Sequence, residues 1–108
     1  MRDDITRDEL RAAISAGDVI VIDALPSRPY DKRHLPQAIN LVIDQPDETV
    51  RATLTDPGAA IAVYSTDADC ERAPDLAARL RTLGYTNVRL YRDGIEDWVG
   101  AGLPVESS

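Results

Sequence analysis

Four consecutive apolar residues, Ile61-Ala62-Val63-Tyr64, end without transition at Ser65 and give way to the polar stretch Thr66 to Arg72. A strand with no polar alternation has no face to offer to water, so it belongs inside a sheet covered on both sides. Val19-Ile20-Val21-Ile22, closed by Asp23, has the same character. Between and after these runs lie segments of helical period. Beyond the polar stretch, Pro74 is expected to open a helix with Leu76, Ala77, Leu80 and Leu83 on one face and Gly84 at its end. Strands of this kind alternating with helices make a mainly parallel α/β sheet with helices on both faces. In open sheets of that type, ligands bind beyond the carboxyl ends of the strands, where the following helix start favours anions. The loop after Tyr64 occupies such a place. It carries the chain's one cysteine, Cys70, together with the carboxylates of Asp67, Asp69 and Glu71.

The remaining elements fit the same plan. Thr6 and Glu9 have the spacing of a capping box, and Leu10, Ala13 and Ile14 form one helical stripe that Gly17 stops. Pro26 and Pro29 bracket a turn, with a short helical turn expected over Tyr30 to Arg33. Ala38 to Val42 reads as a second strand weakened by Asn40, and Asp44 to Leu54 as a short helix capped near Asp47. Asp56-Pro57-Gly58 is a turn by composition. Asn87 to Tyr91 forms a fourth strand, and Ile95, Trp98 and Val99 mark a last short helix, with Trp98 expected in the core.

At 108 residues the chain is read as one domain, spanning residues 1–108. It has no apolar run long enough for a membrane helix, and its polar start does not resemble a secretory signal. A net charge of −7 argues against nucleic acid and anionic membranes as partners. One cysteine excludes an internal disulfide and suits a cytoplasmic location. With His34 as the only histidine and no cysteine cluster, no metal site is expected, and no cofactor is implied.

Several stretches, in order along the chain, carry a family resemblance. Asp23-Ala24-Leu25-Pro26, Tyr30 and His34-Leu35-Pro36-Gln37-Ala38-Ile39-Asn40 form the first; Val63-Tyr64 through Leu83-Gly84-Tyr85-Thr86-Asn87-Val88 the second. Asp93-Gly94-Ile95-Glu96-Asp97-Trp98 and Ala101-Gly102-Leu103-Pro104-Val105 form the third. Together they resemble rhodanese-like domains, whose best-known chemistry passes sulfur through a persulfide on a cysteine directly after the central strand. The resemblance sets Ser65 at that cysteine's position, matches Cys70 to a second loop cysteine of some relatives, and gives His34 a supporting role. It also implies glycine where Gln37 and Asp93 stand.

A hydroxyl cannot form a persulfide, and without an adjacent base it is a poor nucleophile. The resemblance therefore implies a catalytically inert binding or regulatory module, with Ser65 as placeholder and the loop residues Thr66, Asp67, Ala68, Asp69, Glu71 and Arg72 as candidate binding positions. The alternative is sulfur transfer through Cys70, or through a cysteine that a natural counterpart carries at position 65. Asp69 and Glu71 flank Cys70 and are expected to oppose its thiolate, so a small, partly buried side chain is the plainer reading of Cys70. Arg72 is either an exposed helix-entry charge or an anion contact. Phosphate-hydrolysing domains of the same fold set a cysteine and an arginine at the two ends of this loop. Ser65 and Glu71 hold those places here, so nucleophile and clamp are both missing. Asp23 is a candidate anchor for the loops at the sheet edge. The partner expected is a protein or a small sulfur-containing anion.

Overall fold

The computed structural model describes residues 3–107. Its four strands, β1 (Ile20–Asp23), β2 (Ile39–Asn40), β3 (Ile61–Tyr64) and β4 (Val88–Tyr91), form a parallel sheet in the order β2-β1-β3-β4. Five helices accompany them: α1 (Arg7–Ala16), α2 (Ser27–Lys32), α3 (Asp47–Thr53), α4 (Arg72–Thr82) and α5 (Gly94–Gly100). Among the described residues, no helix is long and apolar enough to cross a membrane.

Successive strand residues face opposite layers, as a period of two requires. Ile22, Ile61 and Val63 pack with Leu76, Ala77 and Leu80 of α4 and with Val50 of α3. Val21, Ala62 and Tyr64 pack on the other side with Leu10 of α1 and with Ile95 and Trp98 of α5. The central strands are thus buried on both faces. Trp98 is a core residue, 2% exposed, with its indole N–H donating to the carbonyl of Pro104 at 2.8 Å.

Thr6 and Glu9 do form the capping box, and Gly17 ends α1 in the left-handed region with φ 72°. Other boundaries move. Helix α4 begins at Arg72, so Pro74 lies inside the first turn rather than at the start. Its missing N–H is harmless there, because a first-turn amide has no acceptor within the helix. Pro29 holds the same place in α2, which covers Ser27–Lys32 rather than Tyr30 to Arg33. Helix α3 is capped near Asp47 as expected, at Pro46, and the Asp47 carboxylate accepts from Arg79 of α4 at 2.7 Å. Strand β2 is only two residues long. The Asn40 side chain turns away to donate to the carbonyls of Asp23 (3.0 Å) and Leu25 (2.6 Å), tying β2 to the loop beyond β1.

The register bears directly on the site. Asp23 pairs with Asn40 and Tyr64, and Tyr64 with Tyr91, so the last residues of all four strands lie level. The loops after them emerge side by side along one edge.

Candidate functional site

The loop Ser65 to Glu71 leaves β3 at this edge and enters α4. Its path is fixed from two directions. At its start, the backbone N–H groups of Ile95 and Glu96 donate to the carbonyls of Ser65 (2.9 Å) and Thr66 (3.0 Å). Gly94, with φ 70°, permits this approach, because a Cβ there would lie 2.5 Å from the Ser65 carbonyl oxygen. At its far end, the Asp67 carboxylate accepts from the backbone N–H of Asp69 at 3.1 Å, and the Asp67 carbonyl accepts from that of Cys70 at 3.2 Å. This turn sends the chain back on itself and returns Cys70 toward the strand end.

Cys70 is half-buried. Burial pushes its thiol pKa up, but hydrogen bonding from the Ser65 side chain, from the backbone N–H groups of Arg72 and Thr66 and from the Thr66 side chain outweighs it. The net result is a thiol more acidic than usual. This departs from the expectation based on the acidic flanks. The Asp67 carboxylate is used in the loop's own turn, while Asp69 and Glu71 are exposed to water.

The other expected residues divide by depth. Ser65 is 2% exposed and Thr66 half-buried. Ala68 is exposed, and Glu71 precedes α4 without making a side-chain cap. The backbone N–H of Arg72 helps lower the Cys70 pKa, and Arg72 also lines a separate hollow with Pro26, Ser27 and Asn40.

Beneath the loop lies a buried network. The Asp23 carboxylate accepts from the Tyr64 hydroxyl at 2.6 Å and from the backbone N–H of Leu25 at 2.8 Å, and the Leu35 N–H donates to the Tyr64 oxygen at 3.0 Å. Asp23 is fully buried, so it is the loop anchor and not a solvated strand end. Burial raises its pKa, against the lowering effects of Tyr64, the Leu25 N–H and His34. Tyr64 is raised as well, by burial and then by the Asp23 charge. His34 has the supporting role expected of it. Its Nδ1 lies 2.8 Å from the Tyr30 carbonyl, its ring stacks on Tyr30 at 4.0 Å, and its backbone pairs with Glu106.

Residues 6–101 match the family described as Rhodanese-like domain. The chain is a rhodanese-like domain. It is 38% identical over 104 residues to the HTH-type transcriptional regulator Rv0324 of Mycobacterium tuberculosis, covering 96% of this chain and 45% of that protein. The chain thus spans less than half the length of this curated relative. Among solved structures, the BH2092 protein of Bacillus halodurans superimposes with a TM-score of 0.88 at 26% identity, covering 96% of this chain and 76% of that one. A human single-domain sulfurtransferase matches with a TM-score of 0.78 at 16% identity, over 93% of this chain and 97% of that one, a likeness of fold alone.

Two departures from the rhodanese-like pattern now have different standing. Asp93 replaces an implied glycine at no backbone cost, since its φ of −71° is ordinary. Its neighbour Gly94 is the one held close to the loop. Gln37, by contrast, sits at φ 64°, the left-handed region that glycine occupies without strain.

The domain also holds a feature that sequence reasoning missed. Between α2 and α5 lies a cleft of about 420 Å³, lined by Leu25, Arg28, Pro29, Lys32, Arg33, Thr66, Ile95 and Glu96. Arg28 and Lys32 are four apart, a helical spacing that would have pointed to one basic face had α2 been read at its true length.

Proposed function

We propose that this rhodanese-like domain is a sulfur-binding or regulatory module rather than a turnover enzyme. Ser65 stands at the seat of the family's persulfide-forming cysteine, and Cys70 takes up sulfane sulfur in the same cradle. What supports this is the turn at Asp67, which folds the loop back and leaves Cys70 half-buried, with its thiol pKa lowered by hydrogen bonding from Ser65, Arg72 and Thr66. A thiolate is the nucleophilic form, and donors that stabilise it also stabilise a terminal persulfide anion.

With thiosulfate as donor, the Cys70 thiolate attacks the sulfane sulfur, the sulfur–sulfur bond breaks, and sulfite leaves with the bonding pair. The product is a Cys70 persulfide anion. Ser65 and Thr66 donate to the sulfur throughout and transfer no proton.

The test is intact-protein mass measurement after incubation with thiosulfate or inorganic polysulfide. One added sulfur atom is expected, absent in Cys70→Ala, with little thiocyanate formed when cyanide is supplied. Failure to load Cys70, under conditions that load an active family member, overturns the proposal and leaves an inert scaffold. Rapid thiocyanate turnover that disappears in Cys70→Ala would make the protein a sulfurtransferase instead. A sensing role has its own support. The Mycobacterium tuberculosis relative is named a transcriptional regulator, and a domain that takes up sulfur without turnover suits a regulatory part of a longer protein.

A further inference from the structure

We propose that the cleft between α2 and α5 docks an acidic peptide segment of a partner protein, with two carboxylates on Arg28 and Lys32. This goes beyond sulfur uptake and does not depend on Cys70.

The chain carries a net charge of −7, yet this cleft gathers three cations: Arg28, Lys32 and Arg33. Arg33 is ion-paired across the cleft with Glu96, the one acidic side chain lining it. Asp31, the acidic residue of α2, does not line the cleft. Among the described residues, neither Arg28 nor Lys32 has a carboxylate partner. Two uncompensated positive charges on a strongly acidic molecule mark the place where an anionic segment meets attraction instead of repulsion. The net negative charge around them repels a long polyanion, so the complementary partner is a short acidic stretch.

Shape favours a chain over a small molecule. Sites for small molecules enclose most of their ligand, whereas Arg28, Pro29 and Lys32 are all exposed. A volume of about 420 Å³ exceeds what a simple anion needs, and Leu25, Pro29 and Ile95 add apolar lining. The spacing of the cations fits as well. Residues four apart on a helix hold their Cβ atoms ~5–6 Å from each other. In an extended chain, alternate residues lie ~6.6 Å apart and project to one side. Two acidic residues separated by one apolar residue therefore reach both cations, while the middle side chain projects the other way, toward Ile95 of α5.

The probe is an end-capped peptide with a Glu-Leu-Glu core, titrated into the isotope-labelled chain and followed through the amide resonances of α2 and α5. Shifts at these two helices are expected, and they should weaken as salt is added. In the Arg28→Gln, Lys32→Gln double variant, the dissociation constant should rise about ten-fold. An Arg11→Gln, Arg51→Gln variant loses the same charge elsewhere and should bind as the unaltered chain does. A peptide with a Gln-Leu-Gln core should lose affinity as the first double variant does. Absence of peptide-dependent shifts, equal binding of the two peptides, or an equal loss in both double variants overturns the proposal. Glutarate producing the same shifts at the same concentration would also overturn it, leaving a site for small anions only. Sedimentation of the free chain tests a second copy as occupant: a dimer that the Arg28→Gln, Lys32→Gln variant dissolves would overturn the partner segment. Cys70→Ala should leave peptide binding unchanged, so that failure of sulfur uptake and failure of docking are read separately.

Discussion

Cys70 and Ser65 are five positions apart in the sequence and adjacent in space, because the turn at Asp67 folds the loop back. Ser65 is buried at the strand end and supplies a hydroxyl to the neighbouring sulfur. Replacing it with alanine removes one donor from the thiolate without disturbing the two backbone amides. Ser65→Ala should therefore raise the pKa of Cys70 toward the ordinary thiol value, read from the pH dependence of alkylation. An unchanged profile would mean that the amides alone set the acidity. The residue types at the site were readable in the sequence, but the acidity of Cys70 was not. Counting neighbours along the chain sets Asp69 and Glu71 beside the sulfur, whereas in the folded loop hydrogen bonding from Ser65, the Arg72 amide and Thr66 lowers its pKa. A local charge count fails wherever a turn replaces sequence neighbours with spatial ones.

Among the elements, α5 determines what the loop after β3 can be. Its first amides hold the carbonyls of Ser65 and Thr66, and the contact closes only because position 94 has no side chain. A methyl group there would meet backbone, which cannot step aside as a flexible side chain does. Gly94→Ala should destabilise the domain by ~2 kcal/mol or more through overpacking and the left-handed backbone. In the fraction that folds, the alkylation profile of Cys70 should return toward that of a free thiol. Urea unfolding and alkylation against pH check the two effects separately. Element types were legible throughout, since the continuous apolar runs at Val19–Ile22 and Ala60–Tyr64 allow little besides central strands. Their ends were less so. Proline reads as a helix start at position 74 and as the end of a turn at position 29, yet a first turn tolerates it anywhere before the fourth amide. That shift of two or three residues concealed Arg28 as part of a helical face.

Across the whole molecule, the level strand ends gather everything chemical at one edge and leave a buried carboxylate beneath it. Asp23 keeps its proton to higher pH in the folded protein than in the unfolded chain, where its value is near 3.8. Its contribution to stability is therefore most favourable below that value and declines as pH rises through the folded pKa. Asp23→Asn should abolish this decline. It should also weaken the fold by ~1–3 kcal/mol, since the Tyr64 hydroxyl and the Leu25 N–H cannot both keep an acceptor. Urea midpoints measured from the carboxylate range to neutral pH give both results. The dependence of the Ser65 and Thr66 carbonyls on α5 also has a consequence in time. A ribosome delivers Cys70 well before it delivers Gly94, and domains settle as units once enough of the chain has emerged. Until α5 docks, the Ser65 and Thr66 carbonyls lack the amides that hold them, so the loop takes its folded path only with the last helix.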